Sequence, residues 1–132
     1  MQVLATHHIA IQTHDVAALE AFYTKQLGFA VTKRWEAVGI VFVNAGSTQI
    51  ELVPKDAAPG DPGPRELGQG IGINHIAIHV TSTDAAFAEL KDRGVKILSE
   101  PRDFQDVRIA FFSDPDGNVL ELVEELGHGA GG

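Results

Sequence analysis

Four residues of metal-binding type recur at equivalent places in the two halves of this 132-residue chain. His8 opens His8-Ile9-Ala10-Ile11, and His75 opens the identical His75-Ile76-Ala77-Ile78. Glu51 lies between Ile50 and Leu52, and Glu121 between Leu120 and Leu122. Two neutral imidazoles and two carboxylates balance a divalent cation and leave positions open on an ion that takes six ligands. That set suits Zn, Ni, Co, Mn or Fe better than Ca. A carboxylate between aliphatic residues is costly to bury without a partner, which favours the metal reading. A bland reading stands beside it: a sheet with one wet face also carries Glu at such positions, and a lone His on a strand is usually solvated.

The elements that must position these residues repeat as well. Strand alternation places His8, Ala10 and Gln12 opposite Ile9 and Ile11, and His75, Ala77 and His79 opposite Ile76 and Ile78. A polar cap follows each strand, Asp15 in the first copy and Thr83 in the second. Helical spacing comes next (Val16, Leu19, Phe22, Tyr23, Leu27; then Ala86, Phe87, Leu90), closed by Gly28 and Gly94. Strand-like Phe29–Thr32 and Val95–Leu98 lead into hairpins: Ile40–Val43 with Gln49–Val53, and Ile109–Phe112 with Val119–Val123. Pro115-Asp116-Gly117 supplies the second turn, with Pro presetting φ and Gly accepting a positive one.

The predicted fold is therefore α+β, two βαβββ modules forming a concave mixed sheet with helices on the outer face. Residues 1–53 form the first module and 73–126 the second. Residues 54–72 read as a Pro/Gly-rich linker and 127–132 as a glycine-rich tail. With helices covering the Ile and Leu faces, His and Glu are left on the open ones.

Other chemistries find little support. A net charge of −8 lacks the basic footprint that nucleic acid needs. The absence of cysteine excludes disulfides, Cys-ligated zinc, iron–sulfur clusters and thiol nucleophiles. Gly68, Gly70 and Gly72 are no dinucleotide fingerprint, because no strand precedes them and no helix follows. No Gly-x-Ser-x-Gly is present. No apolar run approaches the roughly 20 residues of a membrane span, and the first twelve residues do not read as a signal peptide, so a cytoplasmic protein is expected. Gln12 and His79 share the open faces with the ligand row and are expected to touch a small-molecule substrate, as is Phe111. Trp35 and Phe42 are aromatic candidates for either pocket or core. His7 is expected toward the helix side or the strand edge, and His14 and His128 at the surface.

The repeated His-Ile-Ala-Ile, Ala21-Phe22-Tyr23 with Leu27-Gly28, and Asp114-Pro115-Asp116-Gly117-Asn118 with Glu121-Leu122 resemble the vicinal oxygen chelate superfamily. This is the glyoxalase, bleomycin resistance protein and dioxygenase family, and the glyoxalase-I-like metalloproteins are the nearest likeness. The resemblance spans nearly the whole chain. It implies one divalent metal ion held by His8, Glu51, His75 and Glu121. It further implies proton abstraction beside a metal-bound substrate oxygen through an enediolate, with Glu121 as base and Glu51 as ligand or second base. A homodimer is also expected, with modules paired within one chain or exchanged between two. A methylmalonyl-CoA-type epimerase is the nearest alternative. An extradiol dioxygenase, a fosfomycin-type transferase and a metal-free antibiotic binder are further ones. Where glyoxalase I commonly holds glutathione with an Arg and an Asn, this chain carries Gln12 and Lys55. Where the epimerases typically show His-Pro-Lys, it carries Asp114-Pro115-Asp116, and Phe42 stands in place of a carboxylate seen in some of them.

Overall fold

From His8 to Thr13 exposed side chains alternate with more buried ones, Ile11 and Thr13 being fully covered, as in a strand with one covered face. The computed structural model describes residues 1–61 and 72–127, which fall into two units, 1–61 and 62–132.

In the first unit, β1 (His8–Thr13) is followed by α1 (Val16–Ala21), β2 (Val31–Trp35), β3 (Ile40–Asn44) and β4 (Gln49–Pro54). The sheet order is β1-β4-β3-β2, with β1 parallel to β4 and the other pairs antiparallel. Asp15 caps α1 by accepting from the Ala18 N–H at 3.0 Å. The helix widens into a π-helical turn over Phe22–Gln26. The turn closes with the Phe29 N–H donating to the Tyr23 carbonyl, one residue further back than an α-helical end requires, and Gly28 takes the left-handed φ of 82°. α1 packs on β3 and β4, burying Leu19, Phe22 and Tyr23 with Val41, Val43, Ile50 and Leu52.

The second unit repeats the plan: β5 (Ile76–His79), α2 (Thr83–Asp92), β6 (Lys96–Ile97), β7 (Arg102–Phe104), β8 (Val107–Ser113) and β9 (Val119–Glu125). Its order is β5-β9-β8-β6, with β7 also paired to β8. α2 packs on β8 and β9, and Leu90, Ala110, Phe112, Leu120 and Leu122 are buried. Each unit thus covers its Ile and Leu face with a helix, and the α+β reading holds. Among the described residues no helix is long and apolar enough to cross a membrane.

Three expectations need correction. The cap of α2 is Ser82, which accepts from the Ala85 N–H at 3.1 Å. Thr83 is instead the first helical residue, fully buried, and its hydroxyl donates to the Arg108 carbonyl at 2.7 Å. The strand after α1 begins at Val31 and runs to Trp35, because Phe29 is engaged in closing the helix. β7 was not expected at all: all three of its residues are exposed, so no hydrophobic period announces it.

Residues 55–61 form an ordered loop. The Lys55 N–H donates to the Thr13 carbonyl, and Asp61 pairs with Lys55 at 2.8 Å while accepting from the Ala58 N–H. The remainder of the expected linker, 62–71, and the tail 128–132 with His128 lie outside the described residues.

Candidate metal half-sites

In the first unit His8 sits level with Gln49 across the parallel β1–β4 ladder. Its ring leans two residues along the neighbouring strand, so that Nε2 lies 3.6 Å from Oε1 of Glu51. In the second unit His75 directly precedes Ile76, which pairs with Leu120. Its ring leans along the same diagonal, and Nε2 lies 3.3 Å from Oε1 of Glu121. The two carboxylate side chains are equally covered, each 13% exposed, while the histidines are 37% and 30% exposed. Among the described residues, no other ion-pair or hydrogen-bonding partner approaches either carboxylate.

The rings are fixed from two further sides in both units. Nδ1 of His8 lies 2.8 Å from Nδ1 of His7, and Nδ1 of His75 lies 2.6 Å from Oδ1 of Asn74. An amide oxygen only accepts, so Nδ1 of His75 donates to Asn74 and Nε2 is the nitrogen turned toward the carboxylate. An aromatic edge completes each half. His8 meets Phe42 in a T-shaped contact, centroids 5.9 Å apart, and His75 meets Phe111 in the same way at 5.3 Å. Phe42 is the antiparallel partner of Glu51, and Phe111 is that of Glu121.

The donor set therefore fits a divalent ion: imidazole nitrogens oriented by hydrogen bonds on the far side of the ring, next to half-buried carboxylates. Among the described residues no group of three or more His, Cys, Asp or Glu assembles, and each unit brings together one His–Glu pair.

Gln12 and His79 are exposed on the open faces, as expected. Phe111 is 8% exposed and clusters with Ile109 and Val119, so it packs against the His75 ring from a buried position. His14 is at the surface, with Nδ1 donating to the Lys55 carbonyl at 2.8 Å. Of the two places expected for His7, the helix side is not taken: it is exposed next to the edge strand β1 and hydrogen-bonded to His8. Sequence reasoning missed His7 and Asn74 as orienting residues. The available signal was a hydrogen-bonding side chain immediately before each repeated histidine.

A family model described as Glyoxalase/Bleomycin resistance protein/Dioxygenase superfamily matches residues 5–122. The chain is 36% identical over 130 residues to the uncharacterized protein YaeR of Escherichia coli (strain K12), covering 90% of this chain and 95% of that one. It is 30% identical over 130 residues to lactoylglutathione lyase of Escherichia coli O157:H7, covering 94% and 95% respectively. It is 31% identical over 99 residues to mitochondrial methylmalonyl-CoA epimerase of Bos taurus, a match covering 71% of this chain and 57% of that enzyme. Among solved structures, SMU.1112c superposes with a TM-score of 0.75 at 28% identity over 93% of this chain and 100% of the other. TnmS3, described as an antibiotic binding protein from Streptomyces sp. CB03234, gives 0.73 at 27% identity, covering 95% and 98%.

Proposed function

The chain belongs to the Glyoxalase/Bleomycin resistance protein/Dioxygenase superfamily, and on that premise we propose that it is a divalent-metal-dependent lyase or isomerase of the glyoxalase I type. One observation carries the reading: the same His–Glu pair, on the same diagonal and with the carboxylate equally covered, occurs once in each unit. His8, Glu51, His75 and Glu121 would hold one ion. When bound, the ion supplies Lewis-acid stabilisation of negative charge developing on a substrate oxygen.

The chain's own residues supply the rest. Asn74 and His7 fix their histidines so that Nε2 is the nitrogen offered. Phe42 and Phe111 hold the rings from the side and reduce water around the carboxylates. Glu121 takes the proton from substrate carbon at a carboxylate oxygen and returns it, with Glu51 as ligand or second base. Removal and return of a proton by two carboxylates in equivalent settings also serves an epimerase, and that second reading is favoured by the likeness to the bovine enzyme. Lys55 is engaged by Asp61 at 2.8 Å, which argues against its use in holding a glutathione adduct.

The test is elemental analysis with titration of Zn, Ni, Co and Mn, followed by assays with methylglyoxal plus glutathione and with methylmalonyl-CoA. Stoichiometric metal and turnover of either substrate support the reading. A protein that carries no metal and takes up none is a metal-free binder, as the likeness to TnmS3 would then favour.

A further inference from the structure

One row of side chains crosses the open face of the first unit. Lys33 pairs with Phe42, Phe42 with Glu51, and Glu51 with Ala10, so all four lie on the face that carries His8. Lys33 reaches this row through an irregularity, since the β2–β3 register shifts between Val31 and Lys33. Such bulges re-aim the side chain that follows them. The Lys33 ammonium lies 4.8 Å from the centroid of the Trp35 ring and 4.8 Å from that of Phe42. The two rings meet edge to face at 5.0 Å and 73°, so the ammonium occupies the corner between them.

That environment locates the charge without cancelling it. Arg34, Lys55, Arg93 and Arg108 are each paired with a carboxylate. Among the described residues no carboxylate pairs with Lys33, nor with Lys25, Lys91, Lys96 or Arg102; what sets Lys33 apart is its place on the face that carries His8 and Glu51, in a corner between two rings. Contact with an aromatic face attracts a cation but leaves its hydrogen-bond donors free and its positive potential available. Lys33 stands two strands from Glu51, roughly 9–10 Å between backbones at the usual strand spacing. Phe42 lies between them, 2% exposed beneath the Lys33, Trp35 and His8 side chains.

We infer that Lys33 is an anion anchor: it binds a carboxylate or phosphate group of a substrate that lies along this row toward Glu51. This deepens, and rests on, the enzymatic reading given above, and it defines the substrate class as a short organic acid or phosphate ester.

Trp35 is the only tryptophan in the chain and touches the proposed anchor, so its emission reports the site directly. The full-length protein is titrated with butyrate, with monobutyl phosphate and with uncharged butyramide at constant ionic strength, as wild type, Lys33→Met and Lys33→Arg. Saturable quenching or a spectral shift is expected with at least one anion and not with butyramide, and the anion that binds more tightly identifies the group. Lys33→Met should weaken that binding about tenfold, the loss of one charge-assisted contact, and Lys33→Arg should retain it. The proposal is overturned by equal affinity in Lys33→Met, by equal response to butyramide, or by no response in the wild type. Metal titration of the same variants separates the two readings. Unchanged metal uptake with lost anion response supports the anchor. Lys33-dependent anion binding in a protein that takes up no metal keeps the anchor and removes the enzyme.

Discussion

Oδ1 of Asn74 lies 2.6 Å from Nδ1 of His75, so the side chain one residue upstream holds that nitrogen and turns Nε2 toward Glu121. Replacing that acceptor with an apolar group frees the ring to rotate and to change tautomer. Asn74→Leu is expected to lower the affinity for Zn or Co about 10–100-fold, the usual effect of removing a group that orients a ligand. Asn74 is exposed, so the far-ultraviolet circular dichroism should not change. Asn74→Asp keeps an acceptor and should bind metal as well as wild type. Unaltered affinity in Asn74→Leu would show that the amide does not hold the ring.

Glu121→Gln tests the base. The amide keeps the shape and the pairing with Phe111 and Ala77 but cannot accept a proton at physiological pH. At saturating metal, kcat should fall by about 10²–10⁴-fold, the range for loss of general-base catalysis, with the melting temperature little changed. Glu51→Gln should weaken metal binding more than it lowers kcat measured at saturating metal. Full activity in Glu121→Gln would transfer the role to Glu51.

Much of this arrangement was legible because it is written twice. The His-Ile-Ala-Ile repeat and the Glu between two aliphatics fix faces by alternation alone, and alternation is insensitive to errors of a residue or two at strand ends. What escaped was set by contacts with no period. β2 carries Thr32, Lys33 and Arg34, which are exposed and follow no alternation. Its start depends on Phe29 stacking on Tyr23 at 6.0 Å and closing the π-helical turn. His7 and Asn74 act through single hydrogen bonds that composition does not announce. Lys33 comes opposite Phe42 only because of a register shift invisible in the chain.

The Glu20–Arg34 pair, 2.7 and 2.8 Å at its two contacts, ties α1 to β2. The Arg34 hydrogen bonds hold the Glu20 carboxyl below its ordinary value, against a smaller opposing effect of burial. A carboxyl depressed in the folded state stabilises above its unfolded value and loses that contribution as pH falls through the folded one. Wild type should therefore melt above Glu20→Gln at pH 7, and the gap should narrow from about pH 4, where an unfolded glutamate titrates, downwards. Thermal melts of both proteins between pH 7 and pH 2.5 measure this, and a gap that stays constant with pH would show that the pair contributes nothing through charge. The exposure of Arg34 makes the effect small and sensitive to salt.

The turn joining β8 to β9 rests on one buried carboxylate, 3% exposed. Oδ1 of Asp114 accepts from the N–H groups of Asp116 and Asn118, each at 2.9 Å, and Oδ2 accepts from the Asn118 amide at 2.8 Å. Asp114→Ala leaves those donors without their acceptor and should cost about 1–3 kcal/mol. Asp114→Asn retains one amide oxygen facing the two N–H groups and should cost less. Glu121 follows Asn118 by three residues, yet its position is set by the β8–β9 ladder, which runs unbroken from Val107 with Glu125 to Ser113 with Val119. Denaturant unfolding should therefore report a clear loss of stability in Asp114→Ala, while metal affinity measured well below the melting temperature stays at the wild-type value. A fall in both would mean that the turn, rather than the ladder, fixes the register at Glu121.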